Sequence, residues 1–155
     1  MPRPLELHNR REFCKRITSV AAISSGVALF PACGGNPTSS IPGSPLPTVA
    51  GSVTGGAVAV TISANSPLAA TGGMALVTST AGDFLVTRTG PTTFIALTAN
   101  CTHQACVVSA STGSSFVCPC HGSEFDTSGR VIVGPAAAPL SQFPTQFANN
   151  ILTIT

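Results

Sequence analysis

From about Ser52 onward, apolar and small polar residues alternate in short runs broken by turn residues. Val58-Ala59-Val60-Thr61-Ile62 and Met74-Ala75-Leu76-Val77-Thr78 are two such runs. Gly82-Asp83 turns the chain into Phe84-Leu85-Val86-Thr87-Arg88-Thr89, and Gly90-Pro91 turns it again into Thr93-Phe94-Ile95-Ala96-Leu97-Thr98. Successive side chains of a strand point to opposite faces, so this alternation between turns predicts a β-meander. Near the end, Gln146-Phe147-Ala148 and Ile151-Leu152-Thr153-Ile154 flank Asn149-Asn150, residues that tolerate positive φ, which predicts a tight hairpin. No helical period extends beyond about one turn. The body is expected to be a small all-β domain, an antiparallel sandwich with a modest core that gains from cross-links.

Composition supports strands and turns: the 155 residues include 15 Gly and 13 Pro and neither Trp nor Tyr. Charge divides the chain. Five of the seven basic residues (Arg3, Arg10, Arg11, Lys15, Arg16) and two of the five acidic ones (Glu6, Glu12) precede Ile17. The chain from Ile17 onward holds only Arg88 and Arg130 against Asp83, Glu124 and Asp126. That scarcity excludes a nucleic-acid-binding surface and a charge-solvated helical bundle.

The cationic start resembles a bacterial twin-arginine export signal, matching at Arg10, Arg11, Phe13 and Lys15 and followed by the apolar stretch Ile17 to Phe30. An ordinary secretory signal is the alternative, and both put the domain in the periplasm or on the outer face of the cytoplasmic membrane. Ala32-Cys33-Gly34 at the end of the apolar run is similar to a lipoprotein processing site, which makes Cys33 the candidate acylated residue. Plain cleavage and retention as an anchor stay open, although Ile17 to Cys33 is 17 residues, short of the roughly 20 that a spanning helix needs. Gly34 to Pro47 is rich in Gly, Pro and Ser, the composition of a semi-extended linker. The expected organisation is therefore a leader over 1–32, a linker over 33–51 and a domain over 52–155.

Four of the six cysteines fall in that domain, together with its two histidines. They are arranged as Cys101-Thr102-His103-Gln104-Ala105-Cys106 and Cys118-Pro119-Cys120-His121-Gly122-Ser123. Soft thiolates with imidazoles on two loops leave three readings: a zinc site, a disulfide pair or an iron-sulfur cluster. Each loop supplies Cys and then His, whereas a structural zinc finger sets a Cys pair against a later His pair or uses four Cys.

This order of ligands resembles the Rieske [2Fe-2S] family. The stretch Gly122 to Asp126, then Gly129-Arg130-Val131-Ile132-Val133-Gly134-Pro135-Ala136-Ala137-Ala138-Pro139-Leu140, is similar to that family's sequence after the second ligand loop. The resemblance covers about residues 74–155. It implies a Rieske-type antiparallel β-sandwich with a cluster-binding subdomain of loops, over about 98–140, holding one [2Fe-2S] cluster. By the same resemblance Cys101 and Cys118 hold the buried iron, His103 and His121 hold the outer iron, and Cys106 and Cys120 form the disulfide of the cytochrome bc-type branch. Gly134 and Pro135 belong to a third loop covering the cluster. Ser123 matches a serine that donates to a bridging sulfide, and Phe125 stands where high-potential members carry a tyrosine that donates to a ligating sulfur. Gln104 and Ala105 stand where those members often have Leu and Gly.

Formal charge shows why two imidazoles matter. Two ferric ions, two sulfides and two thiolates sum to zero, and reduction adds one negative charge; a four-thiolate cluster starts two charges more negative and resists the electron. Rieske centres in general span roughly −150 to +300 mV. With both domain histidines committed, no two-His-one-carboxylate iron site remains for an oxygenase. The chain is expected to move electrons rather than transform a substrate alone, as a carrier or subunit of a respiratory oxidoreductase. The implied partners are a cytochrome b or c or a larger oxidoreductase subunit, with a quinol among the candidate donors. An exported zinc- or disulfide-stabilised binding module without redox activity is the competing function.

Overall fold

The structure, a computed structural model, describes residues 42–155, which are all-β. The twin-arginine-like leader with Arg10 and Arg11, the candidate acylation site Cys33 and the first part of the linker lie outside these residues. Fourteen short strands form three sheets. The central sheet has the order β12 (Gln142–Phe143), β7 (Phe94–Thr98), β6 (Phe84–Arg88), β5 (Met74–Thr78), β2 (Thr48–Ala50). A second contains β13 (Thr145–Ala148), β14 (Ile151–Ile154), β4 (Ala57–Thr61) and β3 (Ser52–Thr54). The third runs β1 (Ser44–Pro45), β8 (Ala110–Ser111), β9 (Ser115–Val117), β10 (Glu124–Asp126), β11 (Val131–Val133).

The central sheet is buried on both faces, and its sequence shows why. β5, β6 and β7 are apolar on both alternations, so each strand feeds two cores. Ala75, Val77, Phe84, Val86, Phe94 and Ala96 pack against Val58, Val60, Leu152 and Ile154 of the second sheet. Met74, Leu76, Leu85 and Leu97 share the other core with Phe116, Phe125, Cys101 and Cys118. The expected meander is present as β5-β6-β7, antiparallel and in register. The β13-β14 hairpin turns at Asn149 and Asn150, with φ of 51° and 60°, the left-handed conformation that suits Asn in a two-residue turn.

Two expectations are corrected. The Val58 to Ile62 run is not a meander neighbour of β5: β4 pairs with β14 and β3 in a different sheet. Its apolar positions alternate with half-buried and exposed ones, the pattern of a strand covered on one face only. The compositional linker also enters the fold before Ser52. β1 pairs with β8, Leu46 is buried in the core that contains Cys101 and Cys118, and β2 runs parallel to β5. This is the one parallel pairing among the described strands.

Candidate metal centre

The third sheet and the chain after β7 position the cysteines and histidines. Two loops carry them, and the backbone closes both in the same way. In the first, Ala105 N–H donates to Cys101 O (2.8 Å) and Cys101 N–H to Cys106 O (2.8 Å). In the second, Gly122 N–H donates to Cys118 O (3.0 Å) and Cys118 N–H to Ser123 O (2.9 Å). Ala105 and Gly122 are equivalent positions of this device, and both have positive φ, 55° and 72°. An L-residue in that region costs about 1–2 kcal/mol, which glycine avoids. Ala105→Gly is therefore expected to stabilise the domain by about 0.5–1 kcal/mol after the entropy lost to a freer unfolded chain. Urea unfolding measures this, and a destabilised variant would contradict it.

Cys101 and Cys118 are buried free thiols. Burial pushes the Cys118 thiol up; the Cys120 and His121 backbone N–H groups oppose that, and the neighbouring Cys101 thiol adds to it. The rings of His103 and His121 lie 4.9 Å apart at 87°. His103 Nδ1 is buried and has no hydrogen-bond partner, an orphaned lone pair or N–H that costs about 1–3 kcal/mol unless something binds it. Cys106 and Cys120 form a disulfide across the two loops.

A third loop over Gly134 to Pro139 is pinned to both Cys-His loops. Ala136 N–H donates to the buried Ser123 Oγ (3.0 Å), and Thr102 Oγ1 donates to Ala138 O (2.6 Å). Accepting from Ala136 leaves the Ser123 hydroxyl proton to point elsewhere. Phe125 is fully buried in the core that contains Cys101 and Cys118. All the singled-out residues of the two Cys-His loops thus come together with Ser123, Phe125 and the Gly134-Pro135 loop. The Thr102 pin is not legible in the sequence, because nothing local points to a partner 36 residues away.

These residues fit a two-iron cluster. Two thiols lie together and two imidazoles lie together, and such a donor set would suit a [2Fe-2S] cluster. One zinc ion would need about four donors converging on a point, and among the described residues no three His, Cys, Asp or Glu side chains do so.

The family model of the Rieske [2Fe-2S] domain matches residues 59–144. The chain is 45% identical over 74 residues to the cytochrome b6-f complex iron-sulfur subunit of Prochlorococcus marinus (strain MIT 9301), covering 45% of this chain and 40% of that protein. It is 48% identical over 52 residues to the ubiquinol-cytochrome c reductase iron-sulfur subunit of Bradyrhizobium diazoefficiens, covering 32% of this chain and 30% of that one. The matched part thus spans less than half the length of these curated relatives. Among solved structures, the cyanobacterial plasma membrane Rieske protein from Synechocystis PCC 6803 is similar with a TM-score of 0.48 and 33% identity, over 54% of this chain and 86% of that one.

Proposed function

The chain belongs to the Rieske [2Fe-2S] family, and from that premise we propose that Cys101 and Cys118 hold the inner iron, that His103 and His121 hold the outer one, and that the protein is an exported, membrane-tethered electron carrier of a respiratory oxidoreductase. The cluster, when bound, supplies reversible one-electron transfer. The observation that carries the ligand assignment is the buried His103 Nδ1 without a partner, beside the His121 ring and on the same two loops as a pair of buried free thiols.

Each remaining group has a task. Backbone N–H groups of Cys120 and His121 donate toward the Cys118 sulfur and favour its thiolate. Ser123 ties the second ligand loop to the third loop, Thr102 ties the first, and Phe125 excludes water. His121 is exposed, so its ring reaches the surface of the loops.

Phe125 cannot donate a hydrogen bond where high-potential relatives use tyrosine. Phe125→Tyr is expected to raise the midpoint potential by roughly 40–60 mV, the equivalent of about 1 kcal/mol of hydrogen bonding that favours the reduced state. Redox titration checks it, and an unchanged or lower potential would count against the missing donor.

The leader, a tether running from Cys33, and relatives that are subunits of cytochrome b6-f and ubiquinol-cytochrome c reductase complexes support the carrier role. No charged residue occurs between Arg88 and Glu124, so the ligand loops offer an uncharged docking end. Stopped-flow oxidation of the reduced protein by a soluble c-type cytochrome tests this. The rate should change less than about twofold between low and physiological salt. A steep salt dependence would refute the uncharged docking end, and failure to pass electrons would refute the carrier role.

A further inference from the structure

We infer that Cys120 is a thiol-exchange site: an external thiolate can open the Cys106–Cys120 disulfide in the folded protein, making it a reversible clasp on the two metal-binding loops. Three observations carry this. The first is access. Cys120 is exposed between the exposed Pro119 and His121, while Cys106 is half-buried and packs on the core. An incoming thiolate therefore meets the Cys120 sulfur, and Cys106 is the sulfur that leaves.

The second is electrostatic. The whole stretch from Thr89 to Ser123, which contains both loops, has no charged residue. No carboxylate within it repels an approaching thiolate.

The third is that the loops do not depend on the bond for their shape. Each keeps its own pair of backbone hydrogen bonds, and each is pinned separately to the third loop through Thr102 or Ser123. Opening the disulfide therefore stays local, and the two thiols remain near enough to close again.

The chemistry balances with a thiol reductant. The thiolate forms a mixed disulfide with the Cys120 sulfur as the Cys106–Cys120 bond breaks, and the Cys106 sulfur leaves and takes a proton. A second thiolate then releases Cys120, so two external thiols become one disulfide and the protein gains two thiols. The consequence for metal retention rests on the proposed ligand set; the exchange itself does not.

The test uses the full chain loaded with its cluster, treated with glutathione in one arm and reduced thioredoxin in another. Acid quench, alkylation and peptide mass mapping come next, and visible absorption tracks the cluster separately. Expected are glutathione on Cys120 and not on Cys106, unmodified Cys101 and Cys118 at early times, and an opening rate that changes less than about twofold in sub-denaturing urea. Faster opening by glutathione would identify a small thiol as the natural class of reductant, and faster opening by thioredoxin a dithiol protein; either supports the inference. Were unfolding required, the rate would rise at least about fivefold per molar urea. That rise, glutathione on Cys106, simultaneous alkylation of all four domain cysteines, or no opening short of denaturation would each overturn it. A chain that binds no cluster yet exchanges at Cys120 would refute the ligand assignment and leave this inference standing.

Discussion

Cys118→Ser is expected to yield a folded, disulfide-bonded domain with almost no bound cluster, its iron falling from about two per chain to less than about a tenth of that. The thiol sits just after β9, 1% exposed, within the core that also contains Phe116 and Phe125. Burial pushes the free thiol up, so without metal the side chain is a neutral, core-compatible group. Serine is similar in size and also neutral, which is why the β framework should survive. What serine lacks is the soft, ionisable sulfur that an iron-sulfur cluster requires. Iron and sulfide analysis with far-UV circular dichroism reads both halves of the result. Full iron content would mean that Cys118 is not a ligand. The reciprocal change Cys101→Ser should behave the same way.

The second large effect concerns the disulfide. Replacing both Cys106 and Cys120 by Ala should cost about 3 kcal/mol, because the bond closes a loop of sequence separation 14 and restricts the unfolded chain accordingly. In a domain of this size that lowers Tm by roughly 10–15 °C. Cluster loss under mild heating should accelerate in parallel, since the two Cys-His loops would then lose the covalent bond between them. Thermal unfolding of the double variant measures the first effect, and the decay of visible absorption measures the second. A Tm within about 2 °C of the unmodified protein would show that the bond contributes little to the fold.

Much of this architecture was legible in the sequence where local pattern governs. β5, β6 and β7 are bounded by Gly-containing turns, and Asn149-Asn150 marks its hairpin, so pairing between chain neighbours is set by turn chemistry. The Cys-His pattern of the two loops was legible because its order is distinctive and the domain has no other Cys or His. The long-range pairings were not. Nothing in Ala57–Thr61 says that it pairs with Ile151–Ile154, across more than half the domain. Ser44–Pro45 and Thr48–Ala50 are too short and too rich in Pro, Ser and Thr to read as strands, and only the buried Leu46 hints at their role. The strain at Ala105 was equally hidden, because alanine normally avoids positive φ and the loop's hydrogen bonds impose it.

Low-temperature EPR of the dithionite-reduced protein, run with iron and sulfide analysis, tests the central claim most directly. A coloured protein with two irons and two sulfides per chain, giving on reduction a mixed-valence signal coupled to two imidazole nitrogens, is the predicted result. A colourless, EPR-silent protein carrying zinc would contradict it.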